Sequence, residues 1–201
     1  MVGICLKSFS LKFKSDEVGD EIVKFAGVDV GLRKSTTAVI EEGSAKIYED
    51  YTMCKSMDIL AVGIDAPLSF PESGKLRECE IELIRRGIRL FPSGSAFFRK
   101  VVEKGIEIAD EFRKTGTKVF EVYPFATRKI IGIAPDCKKS RKPCLEKIKK
   151  ELERYVDAKI KTHDDADAVI SALTVKLFYE GMGELITGKD GTILVPRKEK
   201  I

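Results

Sequence analysis

Hydrophobic positions in the first third of the chain run continuously or alternate over short stretches. Further on they recur at spacings of three and four, so the pattern predicts strands first and interleaved helices later. Residues 22–30 form the first apolar strand, and 35–41 and 45–51 are period-two strands joined at Glu42-Gly43-Ser44, a hairpin signal. Leu60-Ala-Val-Gly-Ile-Asp65 is a fourth strand, continuously apolar as in buried parallel sheets. A fifth covers 117–122, and 192–195 closes the chain after a Lys189-Asp-Gly turn. Helical spacing predicts helices over 75–86, 96–114, 144–155 and 164–179, with Gly87 ending the first of them. Residues 3–13 alternate weakly, as an edge strand would, and 15–21 are polar. The pattern predicts an α/β fold. Its mixed central sheet has three antiparallel meander strands followed by strands alternating with helices, and helices cover it.

At 201 residues the chain predicts a single domain with its core over about 22–196. A content of 43% hydrophobic and 34% charged residues fits a soluble globular class. No apolar run approaches the roughly 20 residues that span a bilayer, so no membrane partner is expected. The start carries Lys7, Lys12 and Lys14 without a long apolar region, unlike a secretion signal. Five cysteines, an odd number without CxxC spacing, argue against a disulfide framework and a zinc knuckle, which favours the cytoplasm. The net charge of +4 permits a polyanionic partner without requiring one. Residues 138–161 carry ten Lys/Arg against four Asp/Glu, which reads either as a track for a nucleic-acid backbone or as a solvated helix face.

The acids carry the chemistry. Asp is depleted in strands, because a charge against a packed sheet needs compensation. Yet Asp29 in Gly27-Val-Asp-Val-Gly31 and Asp65 in Gly63-Ile-Asp-Ala-Pro67 both end apolar strands, where sites in open α/β sheets lie. Glu121 sits likewise before Pro124. On the last helix Asp164 and Asp167 share a face with Ser171 and Thr174, while Ala166, Val169, Ile170, Leu173 and Leu177 face the sheet. Helix capping by Thr162, Asp164 and Asp165 is the plain alternative, and it explains Asp167 least well. Converging carboxylates without His or Cys select hard cations, Mg²⁺ or Mn²⁺. Two such ions roughly 4 Å apart would activate a water against a phosphodiester.

The order of these acids, ending in Asp-x-x-Asp-Ala, resembles the RNase H-like superfamily and within it the RuvC-type arrangement. More closely, Gly27–Gly31, Gly63 to Leu68, Arg77-Glu-Cys-Glu80, Gly87-Ile, Phe91-Pro, Glu121-Val-Tyr-Pro124 and His163 to Ala168 resemble, in order, domain of unknown function 429, a family of predicted RNase H-like nucleases. The resemblance implies an RNase H-like fold, a Mg²⁺- or Mn²⁺-dependent nuclease, a DNA or RNA partner and a fold known to work as a homodimer in RuvC-like relatives. The acids it carries over as metal ligands and catalytic groups are Asp29, Asp65, Glu121 and Asp167, with Asp164 in the place of the first acid of the helix pair. His163, the lone histidine, reads as a proton shuttle or outer-sphere residue, or as a cap. Arg77 and Glu80 read as a phosphate grip at the cleft or as a local pair.

Two other readings stay open on sequence. Gly27–Gly31 followed by Ser35-Thr-Thr37 also resembles the first phosphate loop of actin-like and sugar-kinase ATPases, although no second phosphate loop follows. A non-catalytic interaction module would use the same acids for ion pairs alone.

Overall fold

The strands assemble in the order β5-β4-β1-β2-β3-β6. In the computed structural model, which describes residues 22–137 and 142–198, β1 (Phe25–Asp29), β2 (Thr36–Glu41) and β3 (Ser44–Tyr48) form the antiparallel meander. The β2–β3 turn uses Glu42 at φ 47 and Gly43 at φ 80, the left-handed pair that a tight hairpin requires. Strands β4 (Ala61–Asp65) and β5 (Lys118–Glu121) add in parallel on the other side of β1, and β6 (Asp157–Ala158) pairs in parallel with β3. The expected edge strand over 3–13, the polar 15–21 and part of the lysine-rich stretch lie outside the described residues.

Helices cover both faces. Helix α2 (Arg99–Lys114) lays Ile108, Ala109 and Phe112 over Ala26, Val28, Val62 and Ile64. Because strand side chains alternate, the other face presents Gly27 and Asp29 from β1 and Gly63 and Asp65 from β4. Helix α5 (His163–Tyr179) lies on that face, with α4 (Lys142–Leu152) packed beside it through Cys144, Ile148 and Leu152. Helix α1 (Glu78–Arg85) and α3 (Pro124–Ile131) share a smaller core with a hairpin of β7 (Gly183–Gly188) and β8 (Gly191–Pro196).

Four features depart from the sequence pattern. Helix α2 begins at Arg99, after a short 3-10 turn over Ala96–Phe98, so Phe98 is half-buried instead of core. Helix α3 was hidden because Pro124 reads as a breaker, yet it occupies the first helical turn, where its missing N–H costs nothing. Strands β6 and β7 were also missed: β6 has two residues, and β7 is bracketed by Gly183 and Gly188 with Leu185 turned outward. The described cysteines Cys54, Cys79, Cys137 and Cys144 are free thiols. Among the described residues no helix is long and apolar enough to cross a membrane.

Candidate metal centre

Asp29, Asp65 and Asp167 meet. One carboxylate oxygen from each lies within 4.8 Å of the other two. The first two are held side by side by register, since β1 and β4 pair in parallel with Gly27 opposite Gly63 and Asp29 opposite Asp65. The third arrives because the glycines two residues earlier let α5 settle onto the sheet. A Cβ at Gly27 would sit 2.2 Å from both the Ala168 carbonyl oxygen and the Ala172 amide nitrogen, and one at Gly63 would sit 2.7 Å from the Ser171 carbonyl oxygen. Real Cβ atoms do not approach backbone so closely, so each Gly-x-Asp pattern encodes both a landing point for the helix and the acid that meets it. Asp29 and Asp65 are half-buried and Asp167 is 6% exposed.

Glu121 is placed differently. Its carboxylate faces the fully buried Arg77, with Nη1 to Oε2 at 2.7 Å and Nη2 to Oε1 at 2.5 Å, and it also accepts the Leu68 amide at 2.8 Å. Glu80, 2% exposed, accepts from Arg77 Nη2 at 3.2 Å, from the Arg77 amide at 2.9 Å and from Ser93 Oγ at 3.0 Å. Ser69 Oγ accepts from Arg77 Nη1 at 2.9 Å and donates to the Asp190 carbonyl oxygen at 2.6 Å. Burial pushes the Glu121 carboxyl up, while Arg77 and the Leu68 amide draw it down; the same pairing lifts the guanidinium above its ordinary value against its own burial. These directions oppose one another, and the two-pronged geometry favours the ionised pair. With 0% exposure, Arg77 has no open face for a phosphate. Of the two readings of Arg77 and Glu80, the structure shows the local pair and not the phosphate grip, within a buried ion cluster that ties the loop after β4 to β5 and α1.

Among solved structures the chain is similar to the Thermus thermophilus RuvC in complex with a Holliday junction substrate, with TM-score 0.51 and 11% identity over 85% of this chain and 99% of that one. The fold is RNase H-like. A second Thermus thermophilus RuvC structure has TM-score 0.44 and 13% identity over the same shares. No family model matches the chain, and no curated protein matches it.

The start of α5 separates capping from site chemistry within the RNase H-like fold. Thr162 Oγ1 accepts the Asp165 amide at 3.1 Å, and Asp165 Oδ2 accepts the Thr162 and Lys161 amides at 3.0 and 2.8 Å, so the cap is Thr162 with Asp165. Asp164 does not cap. It is exposed and stands one turn before Asp167, outside the group of three. His163 is half-buried, with Nδ1 enclosed and lacking a hydrogen-bond partner among the described residues. Tyr123 was read only as part of a motif, but its hydroxyl donates to the Arg89 carbonyl oxygen at 2.8 Å. Burial pushes that hydroxyl's pKa up, and the nearby charges of Asp65 and Asp167 push it further. A tyrosine two residues after a strand-end acid and just before a helix-opening proline was the available signal.

The donor set suits a hard cation. All three acids offer oxygen within 4.8 Å of one another, the donor type that hard divalent cations of the Mg²⁺ or Mn²⁺ class prefer.

Proposed function

We propose that this chain is a divalent-metal-dependent nuclease that hydrolyses phosphodiester bonds of DNA or RNA. The observation that supports it is the convergence of Asp29, Asp65 and Asp167 from β1, β4 and α5 at one end of an RNase H-like sheet. Mg²⁺ or Mn²⁺, when bound there, supplies Lewis acidity that makes water a nucleophile and steadies the leaving oxygen. Asp29 and Asp65, adjacent by register, orient the site from the sheet, and Asp167 closes it from the helix. Glu121 acts as a positioning residue, since it holds the Leu68 amide and so the loop that leaves Asp65. Asp164 and His163, one turn before Asp167, form the outer edge where a proton can be exchanged with solvent. The ordered motifs shared with domain of unknown function 429 support the same reading, as does the junction-bound RuvC whose fold this chain resembles.

The test is cleavage of labelled single-stranded, duplex and branched DNA and RNA with Mg²⁺ or Mn²⁺. Wild type is expected to cut at least one substrate, and Asp167→Asn to lose at least about 100-fold of that rate. Intact substrates throughout, together with no metal effect on the melting temperature, would sink the proposal in favour of an interaction module.

A further inference from the structure

Beside Asp65 lies a cavity of about 70 Å³ whose lining includes Asp65, Pro67, Glu121, Phe91, Phe98 and Tyr123. That is room for about two waters, too little to enclose a heterocycle. What stands out is the aromatic cluster that reaches it through Phe91 and Phe98. Phe91 is 67% exposed and Phe97 is 71% exposed. With Phe98 they form a triangle of rings, their centroids 6.0, 6.4 and 6.1 Å apart.

The connector that carries them is anchored. Ser93 is fully buried and gives its amide and hydroxyl to Glu80, while the Gly94 amide donates to the Lys75 carbonyl oxygen at 2.9 Å. The rings are therefore held out in water by backbone pinned from beneath, where a flexible loop would fold them in. Cations flank them along the chain: Arg89 and Lys100 are exposed, and Arg99 stacks on Phe70 at 5.6 Å while its Nε meets Glu103. Flat apolar faces among cations match a nucleic-acid strand, whose bases stack while its phosphates find positive charge.

Building on the nuclease reading, we propose that Phe91 and Phe97 form a stacking platform for an unpaired nucleobase of the strand presented to Asp29, Asp65 and Asp167. Paired bases keep both faces occupied, so the platform selects single-stranded or branched nucleic acid over continuous duplex. Stacking is indifferent to base identity, which makes the selection one of structure and not of sequence.

The test is a titration of a single-stranded oligonucleotide carrying one 2-aminopurine, a base whose fluorescence falls on stacking, with the full-length chain in EDTA. Wild type is expected to quench it at least twofold, to quench the same label in duplex far less, and to bind the single strand more tightly. Phe91→Ala with Phe97→Ala should weaken that binding roughly tenfold or more, whereas Phe91→Tyr with Phe97→Tyr should retain it. Absence of quenching by wild type, or equal quenching by the alanine variant, would overturn the platform. So would loss of a wild-type dimer in the alanine variant without change in oligonucleotide binding, which would make the patch an interface between copies. Quenching without cleavage of any substrate would sink the nuclease reading alone; cleavage whose strand preference ignores the variants would sink the platform alone.

Discussion

Two acidic clusters lie at the same end of the sheet, and they handle charge in opposite ways. Glu80 and Glu121 are buried with a guanidinium between them, bonded to it at 2.5 to 3.2 Å. Asp29, Asp65 and Asp167 gather three carboxylates within 4.8 Å, two of them half-buried and open to what approaches. The first arrangement is complete as a structural joint. The second, in the proposed nuclease, would hold a positive charge that comes and goes. One fold thus contains a fixed ion cluster and, next to it, a group of acids at a more open place.

The contrast is broken most strongly at Arg77. Arg77→Ala leaves two buried carboxylates facing each other, and a loss of about 3–5 kcal/mol is expected in denaturant unfolding; a loss under about 1 kcal/mol would mean the cluster is not a joint. Asp29→Asn tests the other side. Wild type is expected to gain about 5–10 °C in melting temperature at divalent metal a hundredfold above its Kd, and the variant to show no such gain; an unchanged gain would remove Asp29 from the site. Glu121→Gln separates the two clusters. It should cost about 2 kcal/mol through the weakened pair with Arg77 yet keep the metal-dependent gain, and loss of that gain would return Glu121 to the ligand set that family resemblance implies. The smallest effect belongs to Tyr123→Phe, about 1 kcal/mol for the hydrogen bond to Arg89. The folded hydroxyl is held above its ordinary pKa, so its contribution is fully present below about pH 10 and is lost as pH rises further. The phenylalanine variant should lack that alkaline decline in melting temperature, and an identical decline would assign it to other groups.

Much of the acid triad could be read from the chain alone. A carboxylate at the end of an apolar run is conspicuous, which exposed Asp29 and Asp65, and helical spacing set Asp167 apart from the cap at Thr162 and Asp165. Glu121 was read into the same set because it too ends a strand. What separates it is Arg77, 44 residues earlier, and pairing at that distance leaves no local pattern. Arg77 itself misled for the same reason: arginine is so commonly exposed that its complete burial has no signature until the fold closes around it. Phe91 was legible only as part of a connector and of the Phe91-Pro motif, and Phe97 drew no reading, because nothing local tells an exposed aromatic from one that the fold will cover. The meander and both covering helices came from periodicity, whereas β6, β7 and α3 were lost to shortness, to edge exposure and to a proline that starts a helix.

The seating of α5 against Gly27 and Gly63 also has a consequence for when the protein becomes itself. Strands β1 and β4 emerge from the ribosome long before the helix that must lie on them, and the face that awaits it is bare, with Gly27 and Gly63 beside the two acids. Contacts of such long sequence separation close slowly, so the nascent chain spends its youth with two acids aligned and the third unmade. Whatever reactivity the assembled site has is withheld until α5 has been made. A chain cut before α5 therefore carries two of the three acids on an uncovered sheet prone to aggregate.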